Sequence, residues 1–279
     1  MDKKTGIILL IVVLLLCCLV ICVVIGVVFA WPKIFPKSEI TPTPTITSVV
    51  EPTDMVEPIG ISYCSPMKTG TDIIFPAEQI TTPKKTISSF LDSFNDNSNQ
   101  WRLGPKNSDY ATSKEYIQNG KLCFDSIAKK GVSSTDTLET QAIKNFDLSF
   151  EAYQVEDTSG GASYDMVFRN INDANQYIFG VDQFAQEYYF YVRKDDKWVD
   201  IVDYIYSKEI NINNVNILRV VANGTEFKLY INSVLVNTSV DSTINEGGGI
   251  GLGFELGDTG DVGLFEFDNF NLKINDLGK

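Results

Sequence analysis

The sequence predicts an all-β domain, a sandwich of two antiparallel sheets, preceded by one transmembrane helix. Three observations carry that expectation. An unbroken apolar run fills residues 7–31, nine of the ten prolines fall before residue 84, and from about residue 86 short alternating runs are separated by Gly, Asn and Asp. They divide the 279-residue chain into a tail (1–6), a span (7–31), a stalk (32–85) and a folded domain (86–275).

Between Ile7 and Trp31 no ionisable group is stronger than a thiol. About 25 such residues cross a ~30 Å hydrocarbon core with some tilt. A cleaved secretory signal has an apolar region of only ~7–15 residues, and Leu16 and Ile21 stand before Cys17 and Cys22 where a lipoprotein signal places a small residue. The run therefore reads as an uncleaved anchor, with Cys17, Cys18 and Cys22 as apolar fillers. Lys3 and Lys4 before it nearly balance Lys33 and Lys37 after it, so the positive-inside comparison does not set the orientation. The segments C-terminal to the span set it instead. A Pro-rich stalk, a β domain and two cysteines suit the outside, which places the N-terminus in the cytoplasm and the domain outside the plasma membrane.

The stretch Pro32 to Pro58 alternates Pro and Thr. It cannot build a core and reads as an extended, partly polyproline-like spacer, reaching up to roughly 80 Å at about 3.1 Å per residue.

In the domain, Phe146, Leu148 and Phe150 fall on one face of their run, and Phe227, Leu229 and Ile231 do so opposite Glu226, Lys228 and Tyr230. This period of two is the strand signature. Asn119-Gly120 and Asn223-Gly224 sit between such runs as expected hairpin turns, where positive φ is needed. About a dozen strands are readable, and they fit one two-sheet sandwich.

Composition restricts the chemistry. There is no histidine, hence no Ser-His-Asp or Cys-His nucleophile, no imidazole base and no His-ligated zinc. Any enzyme here runs on carboxylates, Lys or Tyr. The formal charge is -13. Removing Asp2, Lys3, Lys4, Lys33 and Lys37 leaves 19 basic and 35 acidic residues, so the exported part carries about -16. That balance excludes a nucleic-acid partner, which needs a concentrated basic surface.

Phe90-Leu91-Asp92-Ser93-Phe94 with Asn99-Gln100-Trp101 resembles the opening strand of concanavalin A-like lectin/glucanase domains, the group that includes laminin-G-like and 3-keto-disaccharide hydrolase-type jelly rolls. Met166-Val167-Phe168-Arg169, Gln176-Tyr177-Ile178-Phe179 and Tyr189-Phe190-Tyr191-Val192 resemble the middle strands. Phe227 to Asn232, Gly249 to Leu252 and Phe267-Asp268-Asn269-Phe270 resemble the closing ones. The resemblance spans residues 86 to 275 and implies a jelly-roll β-sandwich. Ser233 departs from it, since the family usually places Gly after the hairpin Asn.

Glucan-cleaving members resemble one another in a strand motif Glu-x-Asp-x-x-Glu, whose spacing puts two carboxylates on one face about 5 Å apart. Here Glu266-Phe267-Asp268-Asn269-Phe270 ends in Asn271, which can neither give nor take the proton. Glu266 then reads as an exposed strand residue and Asp268 as structural. The chain points to binding rather than turnover, although a hydrolase using other carboxylates is an open alternative, as is a structural or adhesion module that contacts protein.

Binding of a carbohydrate ligand needs two or three aromatic faces beside polar groups. Tyr189 and Tyr191 share one face and Tyr188 and Phe190 the other; with Trp198, Tyr204, Tyr206 and Arg169 they form the candidate ligand set, against ordinary core packing for each ring. Calcium, which related sandwiches often use, is a second candidate ligand, with Asp92, Asp258, Asp261 and Asp268 as the acidic positions suited to it, against a solvated acidic turn for Asp258 and Asp261. No other cofactor is implied. Cys64 and Cys123 are the two thiols outside the span. In an oxidising compartment they are expected to pair, the alternative being two reduced buried cysteines.

Overall fold

Period-two alternation becomes burial wherever a strand packs on the opposite sheet. The computed structural model describes residues 64–66, 87–138, 140–156 and 161–275. The expected span and most of the stalk lie outside the described residues. Among the described residues no helix is long and apolar enough to cross a membrane.

Among the described residues fifteen strands form, against the dozen legible in the sequence. They are β1 (Ser89–Asp92), β2 (Gly104–Asn107), β3 (Ala111–Gln118), β4 (Lys121–Ala128) and β5 (Val132–Thr137). Next come β6 (Phe146–Gln154), β7 (Ala162–Asn172), β8 (Asn175–Asp182), β9 (Glu187–Lys194) and β10 (Lys197–Tyr206). The last five are β11 (Asn216–Asn223), β12 (Glu226–Ile231), β13 (Val234–Val240), β14 (Gly249–Leu256) and β15 (Val262–Ile274). A nine-stranded sheet runs β13-β12-β11-β6-β15-β4-β3-β2, with β1 on β15 beyond the end of β4; a six-stranded sheet runs β10-β9-β8-β7-β14-β5. Every pairing is antiparallel.

The main core lies between the sheets. Phe146, Leu148 and Phe150 of β6 and Phe227, Leu229 and Ile231 of β12 are all buried there, as their alternation predicts. Phe168 of β7 meets the rings of Phe146, Tyr177, Phe190 and Phe227 at centroid distances of 5.5–5.9 Å. Each such side chain contributes roughly 1.5–3 kcal/mol by leaving water.

Turn chemistry follows the sequence with one shift. Asn119 and Gly120 have φ of 53° and 71°, as a type I′ hairpin requires. In the β11–β12 hairpin Asn223 is still paired, with Glu226, so the turn is Gly224-Thr225 rather than Asn223-Gly224. Only Gly224 needs positive φ there (59°). Ser233, the departure from the family pattern, sits at φ 70° after Asn232 at 49°, which is why a glycine suits that turn.

The disulfide expected between Cys64 and Cys123 is present, with α-carbons 6.0 Å apart. It docks residues 64–66 on the outer face of the nine-stranded sheet. There Gln118 Oε1 accepts the Ser65 N–H (3.1 Å), and the Tyr116 hydroxyl donates to the Ser65 carbonyl (2.6 Å).

Candidate functional site: a groove on the outer face of the six-stranded sheet

A strand buried on one face only alternates, but β7 is buried at eight consecutive positions. Its second face is therefore covered too. On that outer face Val167, Ile178, Tyr189 and Tyr191 make a separate apolar cluster; Tyr191 also lines a groove of about 970 Å³ that runs past β5 to Lys106 and Ser113 of the nine-stranded sheet. Tyr191, Trp198 and Tyr204 line one side, Ser133 and Glu255 the other, with Ser163 and Asp182 between them.

The aromatic side is a locked stack. Tyr189 and Tyr191 lie two residues apart on β9 and stack at 5.0 Å; Tyr204 leans on Tyr189 at 4.7 Å and Trp198 meets Tyr191 edge-on at 4.8 Å. The Arg193 guanidinium covers Trp198 at 4.7 Å while pairing with Asp196 at 2.9 Å. Trp198 remains 45% exposed and Tyr204 53%, whereas Tyr189 and Tyr191 are buried. The two outer rings thus present faces whose orientations are set by two inner rings.

Beneath them lies a polar network. The Tyr189 hydroxyl donates to Asp165 Oδ1 (2.8 Å) and lies 2.6 Å from Ser163 Oγ, which is 3.2 Å from the same carboxylate oxygen. Asp165 is fully buried, and its Oδ2 has no hydrogen-bond partner. Burial, and then the neighbouring Glu255, push its carboxyl well above the usual range, against the bonds from Tyr189 and Ser163. Burial likewise lifts Glu255 to about 7, opposed by the nearby Ser133 and Tyr189 hydroxyls.

Glycines make room for this network. A β-carbon on Gly180 would fall on the Tyr189 ring and 2.5 Å from Asp165 Oδ1. Gly251 and Gly253 stand on the same face of β14 as Glu255, and a β-carbon on either would collide with the β5 backbone. Gly180→Ala is therefore expected to destabilise the fold by about 1–3 kcal/mol through overpacking and to displace Tyr189. Chemical denaturation, with the near-ultraviolet tyrosine circular dichroism, reports both.

The groove gathers Tyr191, Trp198 and Tyr204 of the sequence-selected set, with Tyr189 under them. Tyr206, at the end of β10, is 62% exposed and lies outside the lining. For Arg169 the structure corrects the expectation of a ligand-binding group. Its side chain is fully buried and points into the core, donating to the main-chain carbonyls of Lys144 (3.1 Å), Ile244 (2.9 Å) and Gly224. It never reaches the groove.

The glucanase-like segment lies on the far side of the sandwich. Phe265 and Phe267 of β15 enter the core, so Glu266 and Asp268 face outward from the nine-stranded sheet. Alternation alone predicts an exposed Glu266; it is buried, because residues 64–66 cover it and the Cys64 N–H donates to its Oε1.

The four aspartates suited to calcium do not converge. Asp92 accepts the Phe94 N–H and the Trp101 indole N–H, both at 2.8 Å. Asp261, buried in the β14–β15 turn, accepts the Asp258 N–H at 2.7 Å. Asp268 lies 3.8 Å from Lys121. Among the described residues no group of three His, Cys, Asp or Glu side chains is arranged to hold a metal ion.

No family model matches the chain, and no curated protein matches its sequence. Solved structures match its architecture. A β-glucanase of Bacillus licheniformis superposes with a TM-score of 0.53 at 11% identity, covering 68% of this chain and 100% of that one. The likeness shows the fold, a jelly-roll β-sandwich of two antiparallel sheets. A second structure, described as a native glycosidic hydrolase, superposes with a TM-score of 0.52 at 9% identity, over 68% of this chain and 97% of that one. The carbohydrate-binding module CBM66 from Bacillus subtilis matches at 18% identity, with a TM-score of 0.41, over 68% and 99% of the two chains.

Sequence reasoning found the aromatic side and missed the polar one. Asp165 stands inside an otherwise apolar middle strand, and Glu255 closes the run Gly249-Ile250-Gly251-Leu252-Gly253-Phe254. Glycine at every second position is a legible sign that one face of that strand has no room for side chains before Glu255, which stands on the same face.

Proposed function

We propose that the domain binds an uncharged glycan in this groove and is displayed outside the cell by the apolar anchor of residues 7–31. The observation that carries the reading is the pair of half-exposed rings, Trp198 and Tyr204, beside hydrogen-bonding groups in an open groove. Aromatic faces take the apolar faces of sugar rings, and flanking polar groups take the hydroxyls. Asp182, Asp200 and Glu255 in the lining, within a chain of net charge -13, disfavour sulfated or uronic-acid polymers. The likeness in fold to a β-glucanase is consistent with a glycan ligand but does not choose one, because one fold serves many functions.

The disulfide attaches residues 64–66 to the sheet face away from the groove. A glycan array probed with the full chain in detergent tests the proposal. Saturable binding is expected, lowered up to about tenfold by Trp198→Ala or Tyr204→Ala, since a ring-face contact is worth about 0.5–1.5 kcal/mol. Binding unchanged in both variants, or absent with and without calcium, rejects it.

Protein contact is the second reading. The edge strands β10 and β13 expose Val199, Ile205, Leu235 and Val240, and such edges are places where another chain docks.

A further inference from the structure

The acidic lining of the groove does more than exclude anions. Glu255 of β14 stands opposite Ser163 of β7. Tyr164 pairs with Val181, so the register places Ser163 beside Asp182 of β8. Glu255 and Asp182 are thus two strands apart on one face, about 9.5 Å between α-carbons, and both line the groove. Inverting hydrolysis needs carboxyl groups ~6.5–9.5 Å apart across the glycosidic bond, with room for a water between the sugar and the second carboxyl group, and a backbone spacing of this size lets the two side chains reach that range.

The two sites differ in their surroundings. Glu255 is backed by the buried Asp165, by Tyr189 and by Ser133, whereas Asp182 stands at the end of β8 and accepts the Ala185 N–H at 3.0 Å. Asp165 has no access to solvent, and its Oδ2 has no partner. A buried carboxyl in that position is least costly when protonated.

Resting on the glycan-binding reading, we propose that the groove also hydrolyses the neutral glycan it holds, Glu255 acting as general acid and Asp182 as general base, with inversion at the anomeric carbon. The C–O bond to the leaving sugar breaks as the Glu255 proton passes to the glycosidic oxygen. A water oxygen bonds to the anomeric carbon from the opposite face, and its proton goes to Asp182. Exchange with solvent restores both groups, and no oxidant or metal is consumed. Burial keeps Glu255 in its acid form near neutrality, and Tyr191, Trp198 and Tyr204 seat the chain. The Glu-x-Asp segment of β15, on the opposite sheet, takes no part.

The test uses the full chain in detergent with laminarin, lichenan, levan and galactan as probes, measuring retention on each polymer and the release of new reducing ends. One retained polymer is expected to be cut. Glu255→Gln and Asp182→Asn should each slow release by about 10²–10⁴-fold, while both variants stay folded by circular dichroism and stay retained. The first-formed anomer, read by NMR, should be inverted. With Glu255 held near 7 by burial, release should fall as the pH rises through neutrality. Retention without any release, release indifferent to both substitutions, or a retained anomer overturns the proposal and leaves glycan binding standing. Failure to be retained on any polymer removes the binding reading and hydrolysis with it.

Discussion

Replacing Arg169 by methionine is expected to lower the unfolding free energy by about 3–5 kcal/mol, the cost of leaving its buried carbonyl partners without a donor. The residue sits in left-handed backbone (φ 47°), at a register break in the β7–β8 pairing after Phe168, and this turns its side chain inward. Its guanidinium lies 4.8 Å from the Phe227 ring and donates to carbonyls 25, 55 and 75 residues away in sequence. Those carbonyls belong to three separate connections: the β5–β6 loop, the β11–β12 turn and the β13–β14 loop. Methionine fills much of the space and removes the charge, but it leaves buried carbonyls without a donor, at about 1–3 kcal/mol each before relaxation. Lysine should recover less than half of the loss, because a point ammonium cannot serve three diverging acceptors. Urea unfolding of the three proteins measures the differences. A methionine variant within about 1 kcal/mol of the parent would show that the three loops hold their places without this residue.

Reduction of Cys64–Cys123, or Cys123→Ala, is expected to cost about 3–4 kcal/mol. The bridge closes a loop with a sequence separation of 59, and loop closure of that length restricts the unfolded chain by about 4 kcal/mol in the entropic account. The native state also loses its hold on residues 64–66, which uncovers Glu266. Burial now raises the carboxyl of Glu266, against the Cys64 N–H and Lys121. The loss should appear as a lower urea midpoint together with new protease sensitivity near residue 65. Because the bridge and the groove lie on opposite outer faces, ligand binding by the folded fraction should not change. Recovery of both thiols unpaired by non-reducing mass mapping would contradict the prediction at its root.

Arg169 and Glu266 also mark where a sequence stops being readable. By residue type, an arginine in a strand is a hydrogen-bonding surface group and a glutamate at an alternating position is exposed. Arg169 is structural instead because loops distant in sequence bring carbonyls to it. Glu266 is buried because a segment about 200 residues earlier, fastened by a disulfide, lies over it. The aromatic wall is legible for the opposite reason. Tyr189 and Tyr191 are neighbours on one strand, and a period of two sets their common face without any knowledge of the partner strand.

The order of residues settles what is local. Alternation decides which side of each strand is apolar, the Asn-Gly pair and the glycines mark where φ turns positive, and the uncharged N-terminal run gives the expectation of an anchor. The absence of histidine confines any catalysis to other groups. Packing of the two sheets chose which apolar side faces the opposing sheet and which lies on the outer face beside the groove, since β7 is buried on both. It also chose which carboxylates share a face: Asp165, Asp182 and Glu255 come from three strands, and only register brings them together. Strand pairing is a long-range choice made by packing, and a linear pattern records the face a residue takes but not the neighbour it meets there.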